Sequence, residues 1–403
     1  MEVPKVAAKY QLTLNPTVLP TFPDDDNVYY GENPLPPTPP SFPVWPDPST
    51  LIARPDTYGL AGADGAVPTA GMDLFESLQE NLDRFLRTQA KESHLGSTMF
   101  GNSDAFVREL KSQTTDWSIS ESGIEVKGAQ ITALWAEPSV TVTQVAERWM
   151  VRKSGVSLQR PVPILLELDE GGREALFVSM TALPQFGAFL ICNEQGASAL
   201  RYESWEKDTI APEVTEKALE AMESGTLRSD QAKMLALSIR RAKHAAPVLG
   251  AIAAYLYDSA GDLESIQRMA QFYIDMMQPI PYDVALMGQL DGEWRGPQLW
   301  AKVPPIGART QPEPGAPWDS HAIAGGWGVV GGMWPWMRQG WAFLDAPEDI
   351  GSQLIRSVLL DVREHLTSAR FTTGDKAGAM LLAQAFGLQR KERQATQILY
   401  ARA

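Results

Sequence analysis

Proline restricts this chain more than any other residue. Of its 30 prolines, 14 fall in residues 1–70, and 12 of those 14 lie before position 50. The run Pro34-Leu-Pro-Pro-Thr-Pro-Pro-Ser-Phe-Pro-Val-Trp-Pro-Asp-Pro48 lacks the backbone donors that a helix or a central strand needs, and its φ angles are fixed. It predicts an extended polyproline II arm of about 45 Å. Two uses fit such an arm: a linker or strap on the protein's own surface, or a docking segment for a partner. The repeated Pro-x-x-Pro spacing suits an SH3-like groove, but the basic residue that usually accompanies the motif is missing. Residues 1–70 contain only Lys5, Lys9 and Arg54 as cations. Phe42 and Trp45 are large apolar groups on this arm, expected to seek a surface, and are candidate partner-binding residues.

The rest of the chain predicts an α+β protein: an antiparallel β-meander domain, then a bundle of helical hairpins. Domain boundaries are expected at 1–70 for the arm, 71–210 for the α+β domain and 211–403 for the mainly helical domain. Leu74, Phe75, Leu78, Leu82, Phe85 and Leu86 recur at helical spacing within 72–112. Between 117 and 205 the runs beginning at Ile124, Gln130, Val140, Ile164, Ala175, Ala188 and Ala199 read as short strands. Asp169-Glu-Gly-Gly and Asn193-Glu-Gln-Gly supply turns. From 212 to 290 the pattern returns to helices. Val248–Tyr257 is apolar nearly all round and should be central. Gly261 should end that helix and Asp262 should cap the next. That next helix should face the core with Leu263, Ile266, Ala270, Tyr273, Ile274 and Met277, leaving Glu264, Gln267, Arg268 and Gln271 outward. Residues 291–347 read as a loop region with seven tryptophans, and 348–401 as helix again, with Ile350, Leu354, Val358, Val362 and Leu366 in one stripe.

Charge narrows the function. With 35 basic against 49 acidic residues the net charge is −14, which disfavours nucleic-acid backbones and anionic membranes as partners. The densest basic run, Arg240-Arg241-Ala242-Lys243, reads as a helix C-terminus favoured by the dipole. Cys192 is the one cysteine, so neither a disulfide within the chain nor a cysteine metal site is expected. No secretory leader is legible at the N-terminus, and a cytoplasmic location is expected.

Motifs that carry chemistry are sparse. Gly326-Trp-Gly-Val-Val-Gly331 matches Gly-x-Gly-x-x-Gly, but His321-Ala-Ile-Ala is a poor preceding strand and Pro335 blocks a following helix. The glycines are better read as room for tryptophan side chains to pack on bare backbone. His94, His244, His321 and His365 are widely spaced without a ligand pattern, and Cys192 lies in an apolar run where a thiol is inert. Asp24-Asp-Asp26 reads as a solvated acidic tip rather than a cation loop. No catalytic, cofactor or metal residues are assigned. The remaining unusual segment is Met333-Trp-Pro-Trp-Met-Arg-Gln-Gly-Trp341. Trp334, Trp336, Arg338 and Trp341 are of the types that dominate interface hot spots, and the segment reads either as a recognition surface or as a plug in the bundle.

Three stretches carry a resemblance: Ala253-Ala-Tyr-Leu-Tyr-Asp-Ser-Ala-Gly-Asp-Leu through Phe272-Tyr273, Gln278-Pro-Ile-Pro-Tyr-Asp-Val-Ala-Leu, and Trp334-Pro-Trp-Met-Arg-Gln-Gly-Trp. Over residues 245–345 the chain resembles an accessory module of bacterial proteins found beside, or fused to, caspase-like and trypsin-like peptidases in defence-type systems. The resemblance implies a bacterial source and a non-catalytic role as adaptor, regulator or substrate of such a peptidase, and it carries no functional residues. The expectation is therefore a non-catalytic, protein-binding accessory or regulatory protein. The alternatives are a hydrolase using dispersed carboxylates and a structural assembly subunit whose arm wraps a neighbouring copy.

Overall fold

The computed structural model describes residues 123–395, apart from 146–147, 154–157, 170–173, 205–211, 224, 226, 311–319, 345–353 and 392–393. The proline-rich arm with Phe42 and Trp45, the acidic run 24–26 and the helix expected over 72–112 lie outside these residues.

In chain order, the first eight strands are β1 (Gly123–Lys127), β2 (Gln130–Ala136), β3 (Val140–Val145), β4 (Arg148–Lys153), β5 (Val162–Asp169), β6 (Leu176–Ala182), β7 (Phe186–Asn193) and β8 (Gly196–Ser204). Helices α1 (Pro212–Glu223), α2 (Ser229–Ile239), α3 (Pro247–Ser259) and α4 (Leu263–Asp275) follow. Then come β9 (Ile280–Pro281), α5 (Tyr282–Met287), β10 (Asp291–Arg295), β11 (Gln298–Val303) and β12 (Gly326–Gly331). The C-terminal part holds α6 (Ser357–Val362), β13 (Thr373–Gly374), α7 (Lys376–Ala385), β14 (Gln389–Lys391) and β15 (Gln394–Ala395).

The chain is a mixed α+β protein with largely antiparallel sheets. The hairpins β3–β4, β5–β6 and β7–β8 are antiparallel neighbours. They do not line up as one meander. The order is β15-β3-β4-β1-β7-β8 in one sheet and β13-β6-β5-β2-β14 in another, with β1 and β7 parallel. The reason is burial. Val162–Leu166 on β5 and Phe186–Cys192 on β7 are buried residue after residue, so both faces of those strands need cover. The helical elements meet the first sheet at β8, through α3, and the second at β6, through α7. At β3 the ordinary alternation holds, with Val140 and Val142 buried and Thr141 exposed. The tight β1–β2 turn needs Gly128, whose φ is +83° and whose added Cβ would lie 2.1 Å from the Cys192 carbonyl oxygen.

The C-terminal region differs from the helical reading of 348–401, which expected breaks at Gly374-Asp375 and Gly387. Its helices are short, and β13, β14 and β15 return to pair with β6, β2 and β3. Both sheets thus take strands from beyond residue 211, where the helical domain was expected to stand apart. Ile350 lies outside the described residues, and Leu366 sits in a bridge with Gly374 rather than on a helix.

In the helical layer α3 is central, as expected: every residue from Pro247 to Tyr257 is buried, and it contacts α1, α2, α4, α5 and β8. Gly261 adopts φ +70°, and the Asp262 carboxylate accepts the Ser265 N–H at 3.0 Å. On α4, Ile266, Ala270 and Tyr273 are buried as predicted, but Arg268 is not outward. It is 1% exposed, and its guanidinium donates to the carbonyls of His321 (2.6 Å) and Gly307 (2.5 Å) and to Glu264 (2.7 Å). The loop between β11 and β12 covers that face of α4, and its unpaired carbonyls need donors. The basic run is also not a simple helix end. Arg240 and Lys243 are buried in a 3₁₀ turn, and Lys243 Nζ lies 5.1 Å from the Phe272 ring centre.

Candidate functional site

The tryptophan-rich region, expected to be loop, builds a small sheet in the order β10-β11-β12-β9. In β11, Leu299, Ala301 and Val303 are buried, while Trp300 and Lys302 alternate to the other face. Trp300 pairs across the ladder with Val329 and Lys302 with Trp327, so Trp300 and Trp327 share the outward face. Arg295 joins them, its Cζ 4.9 Å from the Trp300 ring centre and 4.5 Å from that of Trp327, with Glu293 accepting from its guanidinium at 3.2 Å.

The Gly-x-Gly-x-x-Gly match is β12 itself, which rules out a phosphate-binding turn at that place. Its central glycine serves packing. A Cβ at Gly328 would lie 2.6 Å from Ile274 Cγ1 and 2.8 Å from Ile280 Cδ1, so the bare backbone admits aliphatic side chains from α4 and β9 rather than an indole. The expected glycine–tryptophan approach occurs one turn later, where a Cβ at Gly332 would sit 3.0 Å from Trp336 Nε1.

Beside Trp300 and Trp327 opens a cleft of about 620 Å3, within the range of about 300–1,000 Å3 usual for ligand sites. Its walls come from Leu158–Pro161, from the β6–β7 turn at Pro184–Phe186, from the end of α4 with Met277–Pro279, and from Gln298, Trp300 and Trp327–Val329. Met277 is 94% exposed, although the helical period had placed it on the core face. The helix stops at Asp275, and Met277 adopts φ +54°, which swings its side chain outward. Gln278 is fixed behind it: its amide donates to the His244 carbonyl at 3.1 Å and its oxygen accepts from His244 Nδ1 at 2.7 Å. Burial, reinforced by the Lys243 charge, pushes His244 down to about 3, so it is a neutral structural latch at ordinary pH. Arg160 is likewise occupied, gripping both oxygens of Glu137, one at 2.6 Å. Among the described residues no carboxylate lines the cleft.

The hot-spot candidates at 333–341 lie elsewhere and face inward. Trp334, Trp336 and Trp341 are 0–1% exposed, which corrects the recognition-surface reading in favour of the plug. The Trp336 indole donates to Gly331 O at 2.7 Å and the Trp341 indole to Thr372 Oγ1 at 2.7 Å. Trp334 packs edge-on against Phe386 at 5.3 Å, and its N–H has no hydrogen-bond partner among the described residues. Arg338 alone of the four is exposed, donating to the Thr367 carbonyl at 2.5 Å. Sequence reasoning missed Trp300 and Trp327, although the Leu-x-Ala-x-Val alternation of β11 would have placed Trp300 outward.

Asp283 anchors the plug. Its buried carboxylate accepts from Tyr255 OH (2.6 Å), Trp336 N–H (2.7 Å) and Met337 N–H (3.2 Å). Burial pushes it up to about 6 against the pull of those donors. A raised carboxyl can mark a catalytic acid. This one is fully enclosed and its oxygens are engaged by the chain's own donors, so a substrate has no approach to it. Cys192 is buried in β7. Among the described residues no group of three or more His, Cys, Asp or Glu is placed to hold a metal ion, and no helix is long and apolar enough to cross a membrane.

No protein-family model, no curated protein and no solved structure matches this chain.

Proposed function

We propose that this chain is a protein-binding accessory or regulatory protein and that the cleft beside Trp300 and Trp327 is where it holds its partner. The observation that carries this reading is the pair of outward indoles at the mouth of a cleft whose charged group is already neutralised. Trp is the residue type most concentrated in interface hot spots, and depletion of free charge is typical of an interface core. Met277 extends the apolar rim with a flexible side chain suited to contact. The wall of the cleft formed by Met277–Pro279, Trp300 and Trp327–Val329 lies within the stretch 245–345 that resembles the peptidase-associated accessory module, and the wall formed by Leu158–Pro161 and Pro184–Phe186 lies outside it. That supports a caspase-like or trypsin-like peptidase as the partner, with the chain acting as its adaptor, regulator or substrate.

The test is co-purification from the native host with the full chain and with the double variant Trp300→Ala, Trp327→Ala. The expected result is one protein, identified by mass spectrometry, retained by the wild type and lost from a folded double variant. Equal retention by both, or no specific partner for either, would overturn the reading.

A further inference from the structure

The cleft borders an open strand edge. β12 is bonded to β11 along Gly326–Val329, but β9 pairs with it only at Val330 and Gly331. Residues 326–329 therefore have a neighbouring strand on one side only among the described residues, and the cleft is lined by Trp327, Gly328 and Val329 from this stretch. Proteins blunt such edges with lysine, proline or inward charge. The opposite edge of the same sheet follows that rule: β10 carries Asp291, Glu293 and Arg295, and Leu354 lies so close that a Cβ at Gly292 would meet its backbone nitrogen at 2.6 Å. The 326–329 edge, Gly-Trp-Gly-Val, has no such residue.

The facing rim carries a second signal. Among the described residues, three non-glycine positions have positive φ, and two of them, Gln185 (+65°) and Met277 (+54°), stand on this cleft. Backbone held in that region clusters at ligand clamps. The side-chain amides of Gln185 and Gln298 make no hydrogen bond among the described residues, which leaves them able to both donate and accept.

We infer that the cleft binds its partner by strand addition: an extended, uncharged polypeptide segment pairs with β12 over Gly326–Val329 and lays alternate side chains on Trp327 and Trp300. This rests on the protein-binding reading above and specifies its mode. An open main-chain edge presents alternating donors and acceptors, and an extended peptide backbone matches that pattern. The absence of a carboxylate among the described lining residues and the neutralised Arg160 favour an uncharged segment. A sugar is matched less well, because its hydroxyls need acceptors and the unengaged side-chain acceptors here are two amide oxygens.

The test uses the full chain labelled with nitrogen-15 and three probes: the capped strand-forming peptide Thr-Val-Thr-Val-Thr-Val, a polyproline peptide of similar length, and cellohexaose. The expected result is that the Thr-Val peptide moves the amide signals of residues 326–329 and the Trp300 and Trp327 indole signals, and slows hydrogen exchange along 326–329. N-methylation of alternate peptide amides should abolish the effect. Val329→Lys, which blunts the edge, should weaken binding roughly thirtyfold, the loss of a hot-spot contact. Unchanged signals from the buried indoles would certify that this variant is folded. Binding of polyproline in preference to the Thr-Val peptide, or no response to any probe, would overturn strand addition while leaving the co-purification result to decide the protein-binding reading. Response to cellohexaose alone would overturn both.

Discussion

Trp327 and Trp336 are near neighbours in sequence and meet opposite environments. Trp336 is enclosed, its N–H paired with Gly331 O and its ring 5.2 Å from that of Tyr202. Trp327 is half-buried on an outward strand face with a guanidinium over its ring. Residue type is the same, so strand alternation and local donors decide the role. At 334–341 the chain turns inward and each indole replaces core volume. At 300 and 327 the strand alternation of a ladder holds the rings away from a layer of Leu299, Ala301 and Val330. The first group fills the core and the second stays partly in solvent, where the proposed recognition would use it.

The sharpest way to break this contrast is truncation inside the plug. Trp336→Ala should cost about 3–5 kcal/mol, read from the denaturant midpoint, because it empties a site sealed on all sides. If it unfolds no more readily than Trp300→Ala, the division between the two groups is wrong. Next in size is Asp283→Asn, at about 2–4 kcal/mol near pH 7, because a single amide oxygen cannot serve three donors and the amide NH2 would face them.

This second variant also sharpens the pH behaviour. Asp283 in the folded chain binds its proton near 6 against an ordinary value of 3.8. The folded state therefore holds more protons between those values. The contribution of Asp283 is full below about pH 4 and declines as pH rises through 6, by about 3 kcal/mol in all. The gap between wild type and Asp283→Asn should be wider at pH 4.5 than at pH 7, and a gap that widens with rising pH would contradict the assignment. Smallest is the effect of Trp300→Ala or Trp327→Ala on stability, within about 1 kcal/mol in the same measurement, since each ring is half in solvent.

Much of the first half of the described chain was legible. Seven of its first eight strands announce themselves as β-branched or aliphatic runs between turns. The strand missed, β4, reads Arg-Trp-Met-Val-Arg-Lys, and its charged ends mask a buried Trp149-Met-Val core. The Asp262 cap and the all-round apolar α3 were equally clear. Periodicity failed at Arg268, because a charged residue was assigned to solvent when the carbonyls it serves come from a loop far along the chain. It failed at Met277 because the helix ended two residues earlier. Glycine and proline density made 291–331 look unstructured, yet Gly328 is what lets β12 seat against Ile274. The pairing of β13–β15 with strands at least 195 residues earlier has no local signature, since two or three residues are too few to show a period.

That return of the C-terminus has a consequence for biosynthesis. Lys391 reaches the Pro138 carbonyl across 253 positions, and β2 gains its outer neighbour from Gln389–Lys391. The early strands leave the ribosome long before their border partners exist, so their margins stay open throughout translation of the helical half. Contacts of such separation close slowly. The nascent chain is thus exposed to wrong pairings for most of its synthesis, and a cell producing it has reason to keep a chaperone close to the exit tunnel.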